Sequence, residues 1–305
     1  MSVSKERLGQ LFILVGPGGV GKNALMNELI KETDDLWQLP TATTRPIRAG
    51  EQEGREHQFV SLDVFQKMIA EDELIEYQEV HPGKFYGVPR NTVETAIAEQ
   101  QDMIADIEVL GTKIIRAQYP QNSIAIFIAP PSIMSLQERL QKRQASAEDI
   151  RDRINRLPME MLYAPLVDYL IVNDDFDAAL NDMRCIVDAV RYGSDVATDH
   201  IPKQQYFVHV DVLHDDEVLQ PAPPSGIFSR QFADMAPVLA VTQLIDGILS
   251  TSIDQQHLQY ARTDDQSPVG ITYDPNEHTY QVTYHYSYTL PEKSTIPGFT
   301  WIKRT

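Results

Sequence analysis

The chain has 305 residues, 42% of them apolar, with 26 Lys and Arg against 44 Asp and Glu, a formal charge of -18. That length accommodates a full hydrophobic core and is typical of two domains. So acidic a composition argues against nucleic acid and anionic membranes as partners, while a few local cations can still hold a small phosphate ligand.

Taken in chain order, the first strong element is Leu11-Phe12-Ile13-Leu14-Val15, an apolar run stopped by glycines, as a buried parallel strand is. It follows Lys5 and Arg7 too closely and is too short to be a leader, and no run reaches the length of a membrane span. Leu25, Met26, Leu29 and Ile30 then share one face of a helix over 24–31. Core strands are expected at 103–107, 124–128 and 169–172, with helices at about 91–99, 132–144 and 148–161 between them. Phe176, Ala179, Leu180, Met183, Ile186, Val187 and Val190 recur at helical spacing. This alternation predicts an α/β fold, a parallel sheet with helices on both faces. The only cysteine, Cys185, cannot form an internal disulfide, which favours a reducing cytoplasm.

From Gly193 to Pro202 the composition turns to Gly, Ser, Asp, Thr and Pro, and we expect a linker over 193–203. Beyond it a smaller α+β domain is expected over 204–305. It has strands at 206–213, 270–274, 279–290 and 299–303, a Pro-rich loop at 220–225, a helix at roughly 227–249 and a turn at 275–278. His209, Asp211, His214, Asp215 and Asp216 cluster on a strand and its exit, but they complete no metal-ligand spacing and read as an exposed polar face. Tyr280, Tyr284, Tyr286 and Tyr288 alternate as if paving one face of a sheet. Nothing in this third of the sequence states an activity.

The chemistry sits nearer the start. Gly16-Pro17-Gly18-Gly19-Val20-Gly21-Lys22 has Walker A spacing up to its lysine, between a strand and an amphipathic helix. Glycines let several main-chain N–H groups converge on phosphate oxygens, the helix adds its N-terminal dipole, and Lys22 adds a point charge. Asn23 stands where a Ser or Thr hydroxyl would meet Mg²⁺. Its amide oxygen is also a hard donor, directly or through water.

Further segments follow in order: Thr41-Ala42-Thr43-Thr44-Arg45-Pro46-Ile47-Arg48-Ala49-Gly50-Glu51, then Phe59-Val60-Ser61, Glu73-Leu74-Ile75-Glu76-Tyr77 and Phe85-Tyr86-Gly87-Val88-Pro89. Asp106-Ile107-Glu108 and Val172-Asn173-Asp174-Asp175 complete the set. Together with the phosphate loop they resemble guanylate kinase over about residues 10–192. The resemblance implies a P-loop domain over 1–192, an acceptor-binding region at about 41–89 and a lid at about 139–156. It further implies transfer of the ATP γ-phosphoryl group to GMP or dGMP with Mg²⁺, so that ATP and a nucleoside monophosphate are the partners.

By that resemblance, Gly16, Pro17, Gly18, Gly19, Val20, Gly21, Lys22, Asn23 and Ala24 hold ATP with Arg139 and Asn173, while Lys22, Arg45, Arg143 and Arg153 carry the transfer. Thr41, Arg45, Arg48, Glu51, His57, Glu76, Tyr86, Val88, Asp106 and Glu108 face the acceptor, and Asn23 with Asp106 are the metal candidates. Guanidinium forks suit phosphate because they bind its oxygens in pairs. Glu76 suits guanine because one carboxylate accepts from both N1–H and N2–H, where adenine offers an acceptor.

The acceptor side departs from the family. His57 replaces a tyrosine that touches the acceptor phosphate, Val88 a hydroxyl residue that helps read the base, and Glu108 an aspartate. His81-Pro82-Gly83 makes a loop one residue longer. A base-reading donor lost is discrimination lost. These changes keep two alternatives open: a kinase of the same fold for another phosphorylated acceptor, such as a ribose bisphosphate, and a nucleotide-binding regulatory protein. Oligomeric state is not legible.

Overall fold

The computed structural model describes residues 7–48, 50–81, 83–161, 163–193, 202–214, 217–220, 226–228, 258–260, 269–289 and 300–303. In chain order the elements are β1 (Leu11–Val15), α1 (Lys22–Glu32), β2 (Leu36–Gln38), β3 (Thr41–Thr43), β4 (His57–Phe59), α2 (Leu62–Ala70), β5 (Leu74–His81) and β6 (Lys84–Pro89). There follow α3 (Arg90–Ala98), β7 (Asp102–Asp106), α4 (Val109–Gln118), β8 (Ser123–Ala129), α5 (Ile133–Lys142), α6 (Ala147–Met161), β9 (Tyr169–Val172) and α7 (Phe176–Tyr192). The C-terminal strands are β10 (Lys203–His214), β11 (Glu217–Gln220), β12 (Gly226–Phe228), β13 (Leu258–Tyr260), β14 (Val269–Asp274), β15 (Thr279–Thr289) and β16 (Thr300–Lys303).

The central sheet runs β2-β7-β1-β8-β9, every neighbour parallel, with helices on both faces as expected. All five residues of β1 are buried, which is why this strand reads as an unbroken apolar run rather than an alternating one. Leu14 lies beside Asp106 in the register, so β1 and β7 end together. The chain leaves β1 into the glycine loop and leaves β7 at Asp106. Both arrive at the carboxyl edge of the sheet, where open α/β folds hold their ligands. Across the helix layer, Asp102 is 1% exposed and takes Arg191 Nε of α7 at 2.7 Å as well as the Arg7 guanidinium, fixing α7 and the N-terminal segment to the start of β7.

A second sheet, β4-β3-β6-β5, overhangs that edge. It has a small core of its own in Ala42, Phe65, Met68 and Leu74. Its register sets Thr41 beside His57, Thr43 opposite Tyr86 and Glu76 opposite Val88. The acceptor region expected at 41–89 is this sheet with α2.

The C-terminal strands form a seven-stranded sheet in which β10 and β15 run parallel over Lys203–Leu213 and Thr279–Thr289. The expected strands at 206–213, 270–274 and 279–290 are all present. The helix expected at 227–249 is corrected at its start, since Ile227 and Phe228 belong to β12, paired with β10; the remainder lies outside the described residues, as do 221–225 of the Pro-rich loop. Tyr280 and Tyr284 are 0% and 2% exposed, and they join Val269, Ile271 and Val282 in the same hydrophobic core as the central sheet and α7. Side chains of Tyr286 and Tyr288 lie outside the described residues.

Candidate active site

A cleft of about 530 Å³ opens between the glycine loop, the overhanging sheet and α6, a size suited to small ligands. On one wall, Gly16, Gly18, Lys22 and Asn23 line it. The loop turns through φ 129° at Gly16, a left-handed conformation that only glycine adopts freely. Lys22 opens α1 and folds back, donating from Nζ to the carbonyls of Gly16 at 2.6 Å and Pro17 at 3.2 Å, with Asp106 Oδ1 at 3.6 Å. Pro17, Gly19, Val20, Gly21 and Ala24 shape the loop without lining the cleft.

The loop is braced from behind. Asn173, buried at the end of β9, donates Nδ2 to the Val20 carbonyl at 2.8 Å. Arg139 of α5 donates to the carbonyls of Val20 at 3.3 Å and Asn173 at 2.6 Å. Arg139 therefore clasps main chain rather than lining the cleft. Arg143, the exposed residue capping α5, does not line it either. Of the three lid arginines, Arg153 alone lines the cleft, and it meets the loop from that side: a Cβ at Gly18 would collide with its Nη1. That close approach is a second reason for glycine at position 18.

The opposite wall is built from side chains. Arg45, 5% exposed, grips Glu51 through two nitrogens at 2.7 and 2.5 Å, and donates Nε to Tyr86 Oη at 3.0 Å. This fork holds the Glu51 carboxyl down at about 2, and Glu51 also accepts from the Arg48 amide at 2.7 Å. Because Tyr86 Oη accepts from Arg45, its own proton stays available to a ligand. Thr41 Oγ1 and His57 Nδ1 lie 2.7 Å apart, and the imidazole packs edge-on against Phe59 and Tyr86. Burial first, and Arg45 second, lower the His57 pKa, so this imidazole is neutral at pH 7.

Glu76 lies deep in the same wall, 7% exposed, and burial raises its pKa to about 7, with Glu108 adding repulsion. Its carboxylate presses on α4, where a Cβ at Gly111 would lie 2.5 Å from Oε2. Val88 corrects the expectation most clearly. It is 0% exposed and belongs to the main core, opposite Glu76 on the neighbouring strand, and it does not line the cleft.

Between the walls the charges concentrate. Asp106 and Glu108 line the cleft with Lys22. Asp106 keeps a third of its side chain open to the cleft, yet protein surrounds it closely enough that desolvation raises its pKa, against the pull of Lys22. Helix α6 brings Asp149, Asp152, Arg153, Arg156 and Glu160 to the cleft. Arg156 donates to Glu108 at 3.2 Å and Arg153 to Asp149 at 3.1 Å. Glu160 is 8% exposed, and burial raises it to about 7 while Lys22 pulls the other way. The sequence reading missed Arg156 and Glu160, although the spacing 149, 152, 153, 156, 160 draws one polar stripe along a helix. It also missed Gly111.

Comparison with known proteins agrees with this geometry. The profile of the family described as Guanylate kinase matches residues 8–190. A guanylate kinase of Maricaulis maris is 39% identical over 187 residues, 61% of this chain and 85% of that protein. One of Carboxydothermus hydrogenoformans is 38% identical over 184 residues, 59% of this chain and 88% of that protein. The crystal structure of guanylate kinase from Anaplasma phagocytophilum superposes with a TM-score of 0.50 at 27% identity, over 61% of this chain and 88% of that one.

Proposed function

The chain belongs to the guanylate kinase family over residues 8–190, and from that membership we propose that it transfers the γ-phosphoryl group of ATP to GMP or dGMP. The observation that carries this reading is a single cleft lined on one wall by Gly16, Gly18 and Lys22 and on the other by Arg45 and Glu76. A donor grip alone would describe any P-loop protein. A donor grip facing a buried guanidinium and a buried carboxylate describes a kinase for a guanine monophosphate.

In the reaction, main-chain N–H groups of the loop and Lys22 hold the ATP phosphates, and an acceptor phosphate oxygen displaces ADP from the γ-phosphorus in line. Arg153 and Arg156 face the same space from α6 and neutralise charge as it spreads over the moving phosphoryl group. Arg45, Tyr86 and Arg48 position the acceptor phosphate. Glu76, once ionised, accepts from N1–H and N2–H of guanine, and an adenine ring would meet it with a lone pair. His57 supports Thr41 as a neutral ring, without adding charge.

Mg²⁺ fits the donor set. Asn23, Asp106 and Glu108 bring hard oxygens into one cleft, and among the described residues no three acidic, imidazole or thiol groups could cage an ion. Those oxygens would share the ion with nucleotide phosphates and water. When bound, Mg²⁺ supplies charge neutralisation at the phosphate oxygens.

Residues 204–305 form an accessory unit on this reading, joined through a linker at 193–203. Among the described residues no helix is long and apolar enough to cross a membrane, and the unpaired Cys185 suits a reducing cytoplasm. ADP release measured over a panel of monophosphates tests the proposal, with Lys22→Ala as control. GMP and dGMP are the acceptors expected to turn over. Lys22-dependent turnover of a ribose phosphate instead of guanine nucleotides would replace this reading with the alternative acceptor.

A further inference from the structure

One helix carries much of the third side of the cleft, and it ends against the C-terminal sheet. Helix α6 brings Arg153, Arg156 and Glu160 to the cleft, while Ile154, Leu157 and Met161 on its other face are buried. A helix leaves its last carbonyls without main-chain partners, and a buried end must find them elsewhere. Here Tyr284 of β15 donates its phenolic hydroxyl to the Met161 carbonyl at 2.7 Å, with the tyrosine only 2% exposed.

The contact is part of a broader seat. Val269, Ile271, Tyr280, Val282 and Tyr284 belong to the same hydrophobic core as Leu157 and Met161 of α6. On the donor side, Tyr273 of β14 packs on that core, and after burial, the first cause, the Asp174 and Asp182 carboxylates raise its phenol pKa. Asp174 directly follows Asn173, whose side chain braces the phosphate loop. The sheet thus meets the catalytic unit at the end of α6 and beside the Asn173 turn.

We propose that the C-terminal sheet anchors α6 for catalysis, with Tyr284 as the positioning residue that fixes the Met161 end of the helix and so sets where Arg153 and Arg156 meet the phosphates. The assignment rests on the phosphotransferase reading for its kinetic consequence, though not for its structural one. A helix pinned at its carboxyl end by a buried hydrogen bond can still swing its amino end over the nucleotide. The pivot is then fixed, and closure returns Arg153 to Gly18 each time. With the hydroxyl removed, the Met161 carbonyl loses its partner in a dry site, the last turn of α6 frays, and the closed arrangement is reached less often. The cost falls on the rate of transfer, because the acceptor wall belongs to a different sheet with its own small core.

Tyr284→Phe in the full chain tests this, since it removes one oxygen atom and keeps the packing. Hydrogen exchange of the amides of residues 153–161 is expected to quicken by about tenfold, the size of a lost buried hydrogen bond. The kcat is expected to fall by about 5- to 10-fold, with KM for GMP within twofold of the parent. Val187→Ala in α7 serves as the comparison, because it opens a cavity in the main core away from the cleft and from the bond to Met161. It is expected to lower Tm at least as much while leaving kcat near the parent value. Unchanged exchange in 153–161 after Tyr284→Phe would overturn the anchor, as would an equal loss of kcat in Val187→Ala. If the parent turns over no guanine nucleotide, the functional reading fails, while the exchange experiment still decides the anchor.

Discussion

The two walls of the cleft are made of different material. The donor wall is main chain: a loop of glycines turned by φ 129° at Gly16, closed by a lysine on its own carbonyls and braced by Asn173 and Arg139 on Val20. The acceptor wall is side chain: a guanidinium forked on a carboxylate, a threonine on a histidine, and a glutamate buried against a glycine. Main-chain donors bind phosphate whatever the neighbouring side chains are, so such a wall fixes the donor class and varies little. A wall of paired side chains changes its ligand with one substitution.

The donor wall depends most on Lys22. Lys22→Ala is expected to lower kcat by about 10³-fold or more, because among the described residues no other cation lies as close to the loop carbonyls. Loss of that size with the fold intact, checked by circular dichroism and single-turnover kinetics, would show that the main-chain wall still needs one side chain. On the other wall, Arg45→Lys is expected to raise KM for the acceptor by about 10²-fold. An ammonium cannot reproduce the fork to Glu51 together with the bond to Tyr86. Steady-state kinetics with ATP saturating measures it, and KM for ATP should move little.

A smaller effect separates the walls by pH. Glu76 has its pKa raised to about 7, so in the free protein much of it is neutral at pH 6. Guanine binds the ionised form, and acceptor affinity should therefore rise with pH, by about tenfold between pH 6 and 8, then level off. Glu160 titrates in the same range, so the profile is read against Glu76→Gln, in which only this part of the pH dependence disappears. For stability the sign is opposite: a raised carboxyl favours the fold while neutral, below about 4.5, and that benefit is lost as pH rises through 7. The smallest kinetic effect is expected at Val88→Ser. Its side chain is fully buried and off the cleft, so the change costs about 1–3 kcal/mol of stability by burying a hydroxyl and leaves the acceptor profile nearly unchanged. Thermal unfolding and a nucleotide panel read the two outcomes.

How far the sequence disclosed each wall follows from the same physics. The loop and β1 were legible because a fully buried strand is a continuous apolar run and a phosphate loop has a fixed spacing. Strands β3 and β4 were not, since three residues each carry no period, and only motif resemblance marked the region. Val88 could not be assigned a direction from sequence alone. Its position opposite Glu76 is a matter of register, and register depends on a bulge between Leu74 and Glu76 that no local pattern announces. Helix α4 escaped because Leu110 and Ile114 lie half exposed and blur its stripe. The α6 stripe of Asp149, Asp152, Arg153, Arg156 and Glu160 is legible from helical spacing once acidic and basic positions are read together. In the C-terminal strands, pattern gave β10, β14 and β15, while their seat against α6 needed the three-dimensional contact of Tyr284.

On the acceptor wall a buried carboxylate, Glu76, selects guanine on this reading. Its most direct test is the ratio of kcat/KM for GMP to that for AMP at pH 8, in the parent and in Glu76→Gln. The parent should prefer GMP by at least about 10²-fold, and the variant should lose most of that preference while its KM for ATP holds. Equal use of the two nucleotides by the parent, or a preference that survives Glu76→Gln, would contradict it.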